Sequence, residues 1–243
     1  MKTSEQSRAP RVTACAARTL EKSGLRSNPY LQSLQDGSMT LEGFRRSQEH
    51  FFFAVSFYPR PMAALVGRIP NPKARLHVLH NLVEEHGEFN EESFHHTTFQ
   101  CFLRSLGSQP EKLETGALSP ALRAFNSVLT CACVLDELEV GVACMGIIEY
   151  AFAGISATIG QAVVQRGWVG QGELVHYALH AEIDERHAEE FFAVIEPHWD
   201  NPDRRYFIEQ GLELGAYVFD RLYWDLFALS KGDEKNLGRH VGA

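Results

Sequence analysis

Apolar residues recur along this chain at intervals of three and four, and almost no segment between turn signals alternates with the period of a strand. The pattern predicts an all-α protein, a bundle of seven or eight helices forming one domain over residues 1–243, with residues 1–24 as a mobile N-terminal segment. A weakly amphipathic stretch over 11–23 ends at Ser23-Gly24, and a short helix over 28–34 closes at Asp36-Gly37. Thr40 can cap a long helix from Leu41, which Pro59 and Pro61 must bend or break because each removes a backbone donor. A second piece reaches Arg68, and Pro72 opens a helix that ends near Gly87. Asn90 can cap a helix through Leu106, after which 108–118 reads as loop. Helices over 120–135, 138–166, 171–196 (stopped by Pro197) and 203–229 complete the chain.

Composition narrows the function. The chain has 243 residues, 44% hydrophobic and 22% charged, enough to bury a large core without disulfides or structural metal. With 31 acidic and 23 basic residues the formal charge is −8, which argues against nucleic acid as a partner. The basic N-terminus has no long apolar core, and no uninterrupted apolar run approaches a membrane span, so neither a signal peptide nor a membrane partner is expected. Five cysteines without a CxxC pair read as reduced packing residues, which places the protein in the cytoplasm. No dinucleotide, P-loop or nucleophile-elbow motif is present.

The chemistry lies in three clusters. In His180-Ala-Glu182-Ile-Asp184-Glu185-Arg186-His187, a turn of about 100° per residue brings His180, Asp184 and His187 to one face. Two imidazoles and a carboxylate there suit iron or manganese, and a plain solvated face is disfavoured because Glu182, Glu185, Arg186 and Glu189 already supply one. Glu149 stands in the most apolar helix, where a carboxylate is costly unless paired or bound to a cation. The third cluster, Glu84-Glu85-His86-Gly87-Glu88 through His95-His96, can supply two further ligands. Spacing leaves Glu88 with His95, Glu84 with His95 and Glu85 with His96 all open, and Gly87 and Asn90 free the phase.

Further features are Asn28-Pro29-Tyr30-Leu31 with Asp36-Gly37, Phe57-Tyr58-Pro59-Arg60, Asn81-Leu82-x-Glu84-Glu85-x-Gly87, Phe102-Leu103-x-x-Leu106-Gly107 and Gly146-x-x-Glu149. Together with His180-x3-Asp184-x2-His187, they give residues 28–107 and 140–192 a resemblance to the heme-oxygenase-like di-metal oxidases and oxygenases. That group shares its fold with thiaminase II (TenA) and PqqC and includes the chlamydial CADD protein. The resemblance implies ligands ten residues apart across the break, Glu85 and His95, with Glu149 as the bridging and catalytic carboxylate and His180, Asp184 and His187 completing two sites. It further implies two Fe(II) ions per chain (Mn possible), O2 as co-substrate, a small amine, amino acid or fatty acid as substrate, a homodimer, and an electron donor as partner. Arg60, Phe53 and Tyr150 are the candidate substrate contacts. The competing readings are a metal-free enzyme of the PqqC or thiaminase II kind, the latter wanting a catalytic Cys for which Cys133 and Cys144 are the nearest candidates, and a non-catalytic interaction module.

Overall fold

A computed structural model of the chain describes residues 7–113 and 118–232. Its α-helices are α1 (Pro10–Ser23), α2 (Pro29–Gln35), α3 (Leu41–Val55), α4 (Pro59–Arg68), α5 (Pro72–Glu85), α6 (His95–Ser105), α7 (Pro110–Leu113), α8 (Pro120–Val134), α9 (Leu138–Gln165), α10 (Val175–Ile195) and α11 (Pro202–Ser230). No strand occurs among the described residues. The all-helical expectation therefore holds, and the caps behave as their residue types demand. The Thr40 hydroxyl accepts from Gly43 N, while Asn71 and Asn201 each accept from two first-turn amides. Pro29, Pro59, Pro72, Pro120 and Pro202 each occupy a first turn, where no donor is missed.

The centre of the bundle is α9, packed along α10 on one side and α11 on the other. Its buried positions run almost unbroken from Glu139 to Gly160, so it is apolar all round rather than amphipathic. It is long and apolar enough to cross a membrane, yet 83% of its most apolar window is buried against its neighbours. Gly146 lets α10 come close: a Cβ there would lie 2.6 Å from a ring carbon of Phe192. That contact sets the depth of Glu149, one turn further along. On the other side of α10, Asn81 Nδ2 donates to the His187 carbonyl at 3.3 Å and ties α5 to it. A buried relay fixes α10 to α2 and α3, with Tyr177 donating to Gln48 Oε1 and Gln48 Nε2 donating to Tyr30 Oη at 2.7 Å.

Four places differ from the sequence pattern. The N-terminal segment becomes helical at Pro10 and docks on α11 and α10, where the Glu196 carboxylate accepts from Val12 N at 3.0 Å and pairs with Arg11 at 2.7 Å. Between α5 and α6 the backbone makes three consecutive left-handed residues, Gly87, Glu88 and Phe89 (φ 54°, 52° and 69°). Gly87 is required there, because a Cβ would meet the Ser93 carbonyl carbon at 2.5 Å. Asn90 does cap, but only a 3-10 turn over Glu91–Ser93, and an extended Phe94 delays α6 until His95. Likewise a 3-10 turn takes up Gln171–Glu173, and α10 begins at Val175. The short α7 interrupts the expected 108–118 loop, of which 114–117 lie outside the described residues.

Candidate metal centre

Glu85, His95, Glu149, His180, Asp184 and His187 are all buried, and they converge from α5, α6, α9 and α10. Glu85 Oε1 lies 2.9 Å from His95 Nδ1, a pairing that the left-handed turn makes possible by folding α6 back against α5. On α10, one-turn spacing sets His180 Nδ1 2.8 Å from Asp184 Oδ1. His187 Nδ1 then stands 3.7 Å from Asp184 Oδ1 and 3.8 Å from Glu149 Oε2. One ligating atom each from Glu149, Asp184 and His187 falls within a sphere of mutual distances under 4.8 Å. Glu149 lines a cavity wall together with Glu85, His95 and His180, so it faces both halves of the cluster.

The open choices of the third cluster resolve by direction. Successive helical residues diverge by about 100°, so Glu85 points inward to His95 while Glu84 turns toward α10. His96 faces away from the cluster, its Nδ1 3.0 Å from Ser56 Oγ and its ring on Phe52, and Glu88 is exposed.

Glu84 has a role that spacing did not reveal. Its Oε2 takes His187 Nε2–H at 2.8 Å, and its Oε1 accepts from Arg186 at 2.7 Å. That pins the His187 tautomer and leaves Nδ1 as the ring atom facing Glu149 and Asp184, the usual device by which a carboxylate orients a metal-binding imidazole. Burial works against the Glu84 charge, but His187 and Arg186 outweigh it and hold the carboxyl at about 2.

The buried donors carry strained electrostatics. Burial, reinforced by the charge of Asp184, pushes the Glu149 carboxyl up. Asp184 is pushed well up by burial, with Glu85 adding to it against the pull of His187. Burial and then the neighbouring His95 lower His180 to about 3, leaving it neutral. Burial opposes a charged His187, but Glu149 and Glu84 raise it to about 10. Five atoms of the six residues have no hydrogen-bond partner: His95 Nδ1 (2.9 Å from Glu85 Oε1 but outside hydrogen-bond geometry), Glu149 Oε1, His180 Nε2, Asp184 Oδ2 and His187 Nδ1. Buried polar atoms are nearly always satisfied. Among the described residues, Glu149, Asp184 and His187 bring ligand atoms within 4.8 Å of one another, a mixed oxygen and nitrogen set that suits a divalent first-row metal ion.

A prediction follows from His187. Its proton must leave before Nδ1 can ligate, and at neutral pH it is held by a group with a pKa of about 10. Metal affinity is therefore expected to rise with pH, about tenfold per unit for each proton displaced. Titrations with Mn(II) between mildly acidic and mildly alkaline pH check this, and a flat affinity contradicts the assignment of Nδ1.

Beside the cluster lies a cavity with about 460 Å³ of empty space, its open mouth included. Its remaining wall is apolar and aromatic, led by Phe51, Phe125, Ile148, Phe152 and Phe219, with Tyr58 and His176 as further polar members. The three expected substrate contacts lie elsewhere. Arg60 is exposed, its guanidinium 5.8 Å over the Phe57 ring, because Pro59 starts a new helix and turns it outward. Phe53 packs on Phe52 and presents its carbonyl to Asn126, outside the cavity wall. Tyr150 follows Glu149 by 100° around α9, so it faces Phe192 and a second hollow formed with Leu20, Leu25 and Arg26. Sequence reasoning missed Tyr58 and His176 in these roles. Tyr58 donates to the Met145 carbonyl at 3.3 Å, and burial, then the charges of Glu149 and Glu85, push its hydroxyl well up. His176 had a legible signal, one turn before His180 on the same face.

An all-α bundle that gathers inward carboxylates and imidazoles from four helices has the kind of donor set on which metal-carboxylate bundles are built. The model of the iron-containing redox enzyme family matches residues 45–215, and the chain belongs to that family. It is similar to the 4-aminobenzoate synthases of Chlamydia muridarum (24% identical over 170 residues, 70% of this chain and 71% of the relative) and of Chlamydia trachomatis (26% over 161 residues, 66% and 68%). That of Nitrosomonas europaea is 23% identical over 192 residues, covering 74% of this chain and 76% of its own. In structure it resembles a heme oxygenase-like domain from Shewanella denitrificans (TM-score 0.74, 15% identity, 96% of this chain and 98% of that one). A TenA homolog from Pseudomonas syringae gives a TM-score of 0.68 at 15% identity, with 93% of both chains covered. The heme oxygenase-like fold expected from the sequence is thus the fold of this chain.

Proposed function

We propose that this protein is a non-heme di-iron oxidase or oxygenase, binding two Fe(II) ions through Glu85, His95, Glu149, His180, Asp184 and His187 and oxidising a small substrate held in the adjoining cavity. The observation that carries the reading is the gathering of buried ligand atoms of Glu149, Asp184 and His187 within 4.8 Å of one another, each of the three residues holding an unpartnered buried atom, in a family of iron-containing redox enzymes. Ferrous iron, when bound, supplies the electrons that reduce O2.

The chain's own residues do the rest. Glu149 faces both halves of the cluster, so it is the carboxylate suited to bridge. Glu84, itself held by Arg186, keeps His187 in the tautomer that presents Nδ1. Asp184 accepts from His180 Nδ1 and so leaves Nε2 free to ligate. The aromatic wall keeps water from the reacting centre. The 4-aminobenzoate synthase names of the relatives make small aromatic amines and their precursors the first substrate class to test, ahead of fatty acids. Two ferrous ions hold two electrons for oxygen reduction, so any further electrons come from the substrate or a donor.

The thiaminase II-like alternative needs a nucleophile, and Cys133 and Cys144 do not serve. Neither lines the cavity, and burial pushes Cys133 up to about 12 and Cys144 further. The test is oxygen uptake. Protein loaded anaerobically with Fe(II) is expected to consume O2 faster than an equal amount of free iron, and the Zn(II)-loaded protein none. Uptake no greater than that of free iron overturns the proposal.

A further inference from the structure

We propose that the second hollow, the one beside Tyr150, is a binding site for a small amphipathic zwitterion. Its ligand has an apolar body with a carboxylate at one end and an amino group at the other. The inference goes beyond the di-iron reading and does not depend on it. The hollow holds about 900 Å³ of empty space, its open mouth included, and shares no residue with the cavity beside the metal cluster. It lies between α1, α2, α9, α10 and the 3-10 turn Leu25–Ser27. Its floor is apolar, made by Leu20, Leu25, Leu31, Ala151 and Ile155.

Gly154 keeps that floor open. It stands inside α9, where glycine weakens a helix relative to alanine. The other three glycines of α9 are explained by packing. A Cβ at Gly141, Gly146 or Gly160 would meet a neighbour at 2.7, 2.6 or 3.0 Å. At Gly154 it would meet nothing within 4 Å. Packing does not call for a glycine there, and the space above it does.

Two opposite charges line the hollow from different elements. Arg26 belongs to the 3-10 turn that follows the left-handed Gly24 (φ 76°). Glu185 belongs to α10, where one step past Asp184 turns it about 100° away from the metal cluster. Both are exposed, and among the described residues neither has a hydrogen-bond or ion-pair partner, so they do not pair with each other. An apolar floor flanked by an unpaired guanidinium and an unpaired carboxylate complements a molecule of the reverse pattern. The ligand's carboxylate turns to Arg26 and its ammonium to Glu185. A neutral apolar ligand leaves both charges unanswered, and a ligand of one sign answers only one.

The test uses three probes with one tolyl body. 4-(Aminomethyl)benzoate carries both charges, while 4-methylbenzoate and 4-methylbenzylamine carry one each. NMR titrations of the full-length chain, metal-free and loaded with diamagnetic Zn(II), are expected to give the same affinities in both forms. The doubly charged probe should bind about threefold more tightly than either of the others, the size of one exposed ion pair. Arg26→Ala should erase its advantage over 4-methylbenzylamine, and Glu185→Ala its advantage over 4-methylbenzoate. Gly154→Leu places a good helix former over the floor, so it should abolish binding of all three while keeping the melting temperature. Equal affinities for the three probes, or advantages that survive the charge variants, overturn the zwitterion assignment. Binding that survives Gly154→Leu, or that requires Zn(II), places the probes elsewhere and overturns the site. So does the absence of any binding. A dimer that Gly154→Leu splits also overturns it, by assigning the hollow to a contact between copies of the chain.

Discussion

Glu149→Ala is expected to abolish oxygen consumption and to weaken metal binding by roughly a hundredfold or more, while leaving the fold in place. The magnitude is bounded from below by what even outer carboxylates contribute, about 10- to 100-fold in metal affinity, and Glu149 faces both halves of the cluster. The fold should survive because the substitution relieves rather than creates a buried charge problem. Burial and Asp184 already push the Glu149 carboxyl up, and its Oε1 has no partner. Alanine is also the better helix former in the middle of α9. A circular dichroism melt separates stability from function here. If the variant keeps iron-dependent O2 uptake at the level of the unaltered protein, Glu149 is a structural buried acid and the bridging role is lost.

Metal binding is expected to stabilise α10 selectively. Burial pushes the Asp184 and Glu149 carboxyls up, and His187 Nδ1 and His180 Nε2 lack partners, so ionising the ligands raises the free energy of the ordered helix without a cation. A ligand that binds only the folded state stabilises it by about 2.7 kcal/mol at a hundredfold excess over its dissociation constant. Amide hydrogen exchange should therefore slow around His180 to His187 and around Glu149 when Mn(II) or Fe(II) is added. The Tyr217 to Ser230 end of α11 serves as the internal control, because it carries no member of the cluster. Equal protection with and without metal would show a centre that owes nothing of its local order to the ion.

Much of this was legible in the sequence, and the reasons are particular. The long helices were readable because Ser119-Pro120 marks the start of α8, α9 is a long unbroken apolar run, and Pro197 stops α10. The inward face of α10 was readable because one-turn spacing is a property of the helix itself. What local pattern could not give was direction across the break after Glu85. Three consecutive left-handed residues reset the phase, so whether Glu84 or Glu85 met His95 depended on tertiary packing. The expected substrate contacts lie off the cavity wall for a similar reason. Phe53, Arg60 and Tyr150 are each adjacent to residues of the cavity or motif, and a single step around a helix turned them elsewhere. His176 went unread because a lone histidine on an apolar face is ordinarily a satisfied core residue.

The central claim is that six side chains from four helices form a two-metal centre, and metal stoichiometry tests it most directly. Anaerobic titration of the full-length chain with Fe(II), followed by removal of free ion and metal analysis, is expected to give about two ions per chain, because the donor set of three carboxylates and three imidazoles supplies about three ligands to each. A folded protein that retains no iron under these conditions would contradict the account.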